Sequence, residues 1–355
     1  MRPALLAALL LSAAPALADA PAVTTRQVGS ATLQNVPEIP HDVRAAVQRY
    51  QNYRQATFRD WLPDGSILLT TRFGATNQLH RVAEPGGART QLSFFDEPVA
   101  DAATIPGSDR FIITRDTGGV EWFQLYAMGL TGDPVALTEA GTRNGSPVFS
   151  KDGSLLAWSR ATKGSADYAI LTANPTDPAS RRVAYEGKGA IFPADISPDK
   201  SRLLIARGIS NRETRLSVLD LATGKATELA FTAKPARYEA PRFTQDGRSI
   251  IVITDADSDF GRLVEIDLAT GKRTVLTPDL KWDVEAFELS DGGRVLAYVV
   301  NEDGYSKLVV QDRITRRALP QPELPRGVLT GLKFSADGSK LAVSLSTATS
   351  AGDVW

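Results

Sequence analysis

Two histidines among 355 residues, His41 and His80, and no cysteine at all leave little material for nucleophilic or metal chemistry. A serine hydrolase needs its serine on a sharp elbow, a histidine to activate it and a carboxylate to orient the histidine. No G-x-S-x-G occurs in the chain. His41 falls in a helical segment, and His80 in an apolar strand reads as an ordinary surface or packing residue. No triad assembles, and no catalytic residue is assigned. Asp255-x-Asp257-x-Asp259-x-Gly261 places alternate carboxylates as the start of a calcium loop does. Its glycine comes one place late, however, and Ile266 stands where a bidentate Glu would close the loop. Aspartate-rich hairpins follow from turn chemistry alone, so the reading is a solvated hairpin with neither metal nor cofactor. The stretches Phe94-Phe95-Asp96-Glu97-Pro98 and Arg115 to Trp122 hold the remaining candidates, Asp96, Glu97, Arg115, Glu121 and Trp122, for substrate binding. Their aromatic residues read first as packing, with a role in facing a peptide or a partner domain as the alternative.

The elements that must carry these residues repeat. At intervals of roughly 44 to 47 residues the chain writes an apolar strand, a polar turn built on Asp-Gly or a stand-in, and a second apolar strand. The phrase occurs seven times, from RDWLPDGSILLTTR at Arg59 through PVFSKDGSLLAWSR at Pro147 to LKFSADGSKLAVSL at Leu332. Second halves such as RLSVLDLATGKATELA (from Arg215) and RLVEIDLATGKRTVLT (from Arg262) add two more strands around an Ala-Thr-Gly-Lys turn. This period marks a propeller blade, because one four-stranded sheet cannot bury both of its apolar faces unless neighbours pack in a ring. The expected fold is all-β, a seven-bladed β-propeller of about four strands per blade over residues 57–355. Its last blade is incomplete, with Asp353 to Trp355 starting a third strand. Trp61, Trp158 and Trp282 lie at or near strand positions and read as core. A short amphipathic helix is expected over 41–56, preceded by an extended, partly mobile lead-in over 19–40.

Composition narrows the partners. A formal net charge of −1 gives no electrostatic case for nucleic acid or an anionic membrane. Met1-Arg2, the apolar run Leu5 to Leu11 and Ala16-Leu17-Ala18 compose a signal peptide over 1–18, cut after Ala18. That run is too short to span a bilayer, and no later segment reaches about 18 apolar residues. A periplasmic or secreted protein without a membrane span is expected.

The F-S-x-D-G and L-D-L-A-T-G-K repeats resemble those of Tol-type periplasmic propellers and of the prolyl oligopeptidase family of serine peptidases. TTRFGATNQLHRV (from Thr70), QLSFFDEPV (from Gln91), RDTGGVEWFQLY (from Arg115), KWDVEAFELSDGG (from Lys281) and NEDGYSKL (from Asn301) narrow it. With Tyr50-Gln51-Asn52-Tyr53-Arg54 after the lead-in, they look like the N-terminal propeller of exported bacterial members of that family. The resemblance implies a C-terminal α/β-hydrolase domain of the same polypeptide as partner and short peptides as substrates. It also implies a gating role for the propeller, which is expected to be inactive alone because the chain stops before any hydrolase residue. The alternative is a free-standing Tol-type scaffold that binds a protein partner.

Overall fold

A computed structural model of the chain describes residues 22–29 and 31–355, so the expected leader 1–18 lies outside the described residues. Contacts divide the chain into Met1–Arg49 and Tyr50–Trp355. In the first unit the lead-in is not simply extended. Thr25–Val28 pairs antiparallel with Ala31–Gln34, and Thr24 and Asn35 close the hairpin through Asn35 Oδ1, 2.9 Å from Thr24 N. The helix spans His41–Gln51 and ends earlier than the expected 41–56. Ala56 is claimed instead by the ring, its N–H donating to Gly352 O at 3.0 Å.

The second unit is a seven-bladed β-propeller. Blades 1 to 5 begin with the strands Thr57–Trp61, Asp101–Thr104, Thr142–Phe149, Ile191–Ile196 and Tyr238–Phe243, and each is a four-stranded antiparallel sheet in sequence order. Blade 6 (Val284–Leu289, Val295–Glu302, Tyr305–Asp312) has three strands, with a bridge from Gln311 to Ala318 in the fourth place. Blade 7 comprises Val328–Phe334, Leu341–Ser346 and Asp353–Val354.

Each sheet turns an apolar face to either neighbour, and seven clusters fill the seven gaps between blades. Trp158 lies fully buried between blades 2 and 3. The gap between blades 7 and 1 has the smallest core, Ala56, Leu69 and Val82 with Ile67 and Val354 against them. Burial of this apolar surface drives closure, so the last gap is the weakest seam.

The repeated turn has one backbone requirement. Its third or fourth residue sits in the left-handed region in all seven blades: Gly65, Gly107, Gly153, Lys200, Gly247, Gly293 and Gly338, with φ between 59° and 80°. Glycine meets that need without a Cβ penalty, whereas blade 4 places Lys200 there at φ 59°. Aspartates complete the turns. Asp199 accepts from the Ser197 and Ser201 hydroxyls and from the Ser201 N–H, which hold its carboxyl down to about 2.

Because the strands alternate in direction, all first-to-second and third-to-fourth connections lie on one side of the ring, here the turn face. The second-to-third connections and the crossings between blades share the opposite side, the loop face. The candidate residues divide between these two sides and the channel.

Candidate functional site

The loop face carries most of the exposed apolar residues of the ring. Phe73, Phe94, Val120, Ile209, Trp282, Tyr305 and Val328 all stand there, Phe94 being 78% exposed. On the turn face, Val135 and Ile314 are the exposed large hydrophobics among the described residues. Trp282 was expected in the core and is 42% exposed. It sits on the loop crossing into blade 6, two residues ahead of the strand that starts at Val284. Trp61 is half-buried with its indole N–H on Lys333 O at 3.1 Å, and Trp158 is fully buried.

Glu97 and Arg115 meet on this face between blades 1 and 2. The Arg115 guanidinium lies over Phe95 at 4.3 Å and Tyr126 at 5.3 Å, with Glu97 Oε2 at 3.8 Å. The other oxygen of Glu97 accepts from Gly118 N at 3.1 Å. Cation–π contact and charge therefore pin the crossing loop to the blade 2 hairpin. Glu121 takes a left-handed φ of 59°, held by its N–H on the buried Asp116 carboxylate at 2.8 Å. Its side chain and that of Asp96 are exposed, and Trp122 is half-buried beside them. The Phe94-Phe95 pair splits its roles, since Phe95 packs against the blade 1–2 core while Phe94 faces water.

In the aspartate run, Asp255 accepts from Arg237 Nε at 3.0 Å and Asp257 pairs with Arg273 at 2.5 Å. Those carboxylates are neutralised by arginines instead of converging on a common centre. No group of three or more His, Asp or Glu among the described residues is arranged to hold a metal ion.

His80 is buried, its Nδ1 3.0 Å from Gln78 O and Phe73 tilted over it at 5.4 Å. It stands opposite Leu69, on the side of blade 1 that packs against Val354 of blade 7. Burial pushes its pKa below the ordinary 6.5, and the charge of Arg89 adds to the effect. The unfolded chain therefore binds the extra proton first, so the ring loses stability as pH falls from about 6.5 toward the lowered value. Asp195 and Glu288, whose carboxyls burial pushes up, work with the opposite sign, adding stability as pH falls through their raised values. The contribution of His80 is thus the difference between wild type and His80→Gln. Urea midpoints should diverge between pH 7 and 5, with the variant the less acid-sensitive; parallel profiles would refute the assignment.

A set of channel residues escaped the sequence reading. Five residues before the left-handed turn residue, the first strands of blades 1, 3, 4, 5, 6 and 7 place Asp60, Val148, Asp195, Arg242, Glu288 and Lys333. In five of these strands a register shift falls just before that position, and in blade 6 it lies between Val284 and Ala286, two residues ahead of Glu288; such bulges re-aim side chains. Asp60 Oδ2 accepts from Thr104 N of blade 2 at 2.8 Å and from Lys333 Nζ of blade 7 at 2.7 Å. Asp195 repeats the motif three blades on, accepting from Phe243 N of blade 5 at 2.7 Å. At the turn-face mouth Lys151 reaches from blade 3 to Gln245 of blade 5 and to Asp291 O of blade 6 at 2.9 Å. Polar side chains therefore tie that end of the channel across its width.

Two cavities open on the loop face. One of about 280 Å³ between blades 5 and 6 is lined by Glu239, Asp255, Asp283 and Glu285 around Arg237. The other, about 310 Å³, lies among blades 2, 3 and 4 and has aromatic walls with a single charged residue, Arg143.

No protein-family model matches the chain, and no curated protein sequence does. Solved structures do match. A prolyl endopeptidase, from a study of two such enzymes and the role of inter-domain dynamics in their catalysis and specificity, superposes with a TM-score of 0.64 at 12% identity. The match covers 94% of this chain and 58% of that one. Prolyl oligopeptidase B from Galerina marginata, bound to a 35mer hydrolysis and macrocyclization substrate, gives a TM-score of 0.65 at 14% identity over 94% of this chain and 56% of its own. The chain thus spans under three fifths of the length of the peptidases it matches. The likeness is one of fold: this chain is a seven-bladed propeller of the kind those prolyl oligopeptidases carry.

Proposed function

We propose that this propeller is the substrate-gating part of an exported serine peptidase of the prolyl oligopeptidase family, inactive by itself, and that the same polypeptide supplies an α/β-hydrolase domain. The observation that carries the reading is the superposition of 94% of this chain on a continuous fold shared with two prolyl oligopeptidases. Topology supports a docking side. The chain enters the ring at Ala56 beside Gly352, on the loop face, and the fourth strand of a blade runs back to that face. A domain joined to the propeller there would meet the exposed Phe94, Trp282 and Tyr305, and aromatic anchors dominate such interfaces.

Sequencing the coding DNA past Trp355 tests the reading. A frame that runs on into G-x-S-x-G, then Asp, then His, carries the triad in the order of an α/β-hydrolase. A stop that only completes blade 7 overturns the peptidase reading and leaves a binding scaffold. In the longer polypeptide Phe94→Ala should lower kcat/KM on short peptides about tenfold, the scale of a lost interface anchor. The melting of the propeller itself should stay unchanged. Unaltered kinetics would move the docking surface away from Phe94.

A further inference from the structure

We infer that the cavity among blades 2, 3 and 4 is a binding site for a monocarboxylate bearing an aromatic or large apolar side chain, the chemistry of a peptide's C-terminal residue. Phe123 from the blade 2 loop, Tyr168 of blade 3 and Phe192 of blade 4 form its walls. Tyr168 and Phe192 meet edge to face with centroids 5.7 Å apart, which fixes the shape of that wall. At about 310 Å³ the space suits one large side chain, at the small end of ligand pockets, roughly 300–1,000 Å³.

Polar groups converge on the same space. Arg143 lines it, is exposed, and has no ion pair or side-chain hydrogen bond among the described residues. Ser146 adds a hydroxyl, while that of Ser159 donates to Gly145 O at 3.0 Å and braces the wall. Ser146 holds a left-handed φ of 54° at the bulge between Gly145 and Val148, and strain of this kind in a non-glycine residue gathers at ligand sites. The floor is rigid: buried Asn144 accepts from Trp158 Nε1 at 3.1 Å and donates to Thr142 Oγ1 at 2.9 Å.

Charge selects the ligand. The lining holds no carboxylate, so Arg143 is its one formal charge. A guanidinium fork matches a carboxylate with two parallel hydrogen bonds. One cation among three aromatic rings fits a singly charged acid with an apolar body better than a phosphate dianion. The carboxylate-lined cavity between blades 5 and 6 would repel the same ligand, which confines it to this sector of the loop face.

This inference does not rest on the peptidase reading, and its test involves no catalysis. The purified chain is titrated with N-acetyl-L-phenylalanine and with the corresponding amide, and binding is followed by ligand-observed NMR. The acid should bind saturably and the amide about tenfold more weakly, a difference of one charge-assisted contact. Arg143→Gln should abolish that preference without changing the melting temperature. Phe192→Ala should weaken both ligands alike. Equal binding of acid and amide, no saturation by either, or an unchanged preference in Arg143→Gln would overturn the assignment. Displacement of the acid by an equal concentration of inorganic phosphate would overturn it too, by marking a general anion site.

Discussion

Replacing Asp60 by alanine should cost the ring about 3 kcal/mol, more than any other single change in the channel, because a buried acceptor of three hydrogen bonds is lost. The residue is 3% exposed, and its carboxylate accepts from Trp61 N at 2.7 Å, Thr104 N at 2.8 Å and Lys333 Nζ at 2.7 Å. Thr104 is itself buried, so its N–H would lose its partner away from water. The Lys333 side chain is 43% exposed, and its ion pair is screened accordingly. Lys333→Met should therefore cost only about 1 kcal/mol. Asp60 joins three blades at once, and its bond to Lys333 bridges the weakest seam. Blade 7 is joined to blade 1 by the smallest of the seven cores, and the other ties include Phe58 N on Ser344 Oγ at 2.8 Å, Ala56 N on Gly352 O at 3.0 Å, Trp61 Nε1 on Lys333 O at 3.1 Å and Arg89 on Asp353 at 3.2 Å. Asp195 makes the matching bond to Phe243 N between blades 4 and 5, where the core is larger. Burial also disfavours its charged form. Asp195→Ala should consequently lose less than half as much. Urea denaturation of the three variants would decide; a loss below about 1 kcal/mol for Asp60→Ala, the level of a surface ion pair, would show that the buried Thr104 N–H does not depend on this carboxylate.

The repeat made the ring legible because its turn combines two local demands, an Asp to bind nearby hydroxyls and N–H groups and a residue free to take positive φ. The one blade that breaks the glycine rule, with Lys200 at φ 59°, is still recognisable by its Pro-Asp and its flanking strands. Outside the repeat the signal fails. The strands Thr25–Val28 and Ala31–Gln34 are short, and few of their residues are even half-buried, so no alternation of apolar and polar residues announces them. The helix stops at Gln51 because Ala56 must already be extended to pair with Gly352, a contact about 300 residues away in sequence that no local pattern encodes.

The candidate site was legible only in part, for a related reason. Departure from the repeat pointed to Glu97 and Arg115, and the structure brings the two together, yet as a clamp between loops that leaves Asp96 and Glu121 in solvent. The channel charges were hidden inside strands that otherwise read as apolar. Asp60, Asp195, Arg242, Glu288 and Lys333 differ in type and sign, so no conserved letter marks them; what they share is a fixed offset from the turn. Aligning the seven repeats on the left-handed residue would have found them. Arg143 carries no such signal, because its cavity is assembled from three blades.

Alanine at Gly153 should destabilise the protein by about 3 kcal/mol, whereas alanine at Gly107 should cost about 1 kcal/mol, although both occupy the same turn position. The backbone penalty is common to both, with φ at 70° and 73°. Space separates them. A Cβ on Gly107 meets nothing within 4 Å, while one on Gly153 would stand 2.3 Å from Pro106 O and 3.2 Å from Ile105 Cγ2. Both of those atoms belong to the blade 2 turn, and Ile105 is part of the core between blades 2 and 3. Relief would require one turn to shift against a packed core, and overpacking of that kind costs roughly 1–3 kcal/mol beyond the local strain. The difference between the two variants in thermal or urea unfolding therefore measures how closely adjacent blades are locked at the turn face. Equal losses would mean that the blade 3 turn moves freely, and that blade spacing is set by the strands alone.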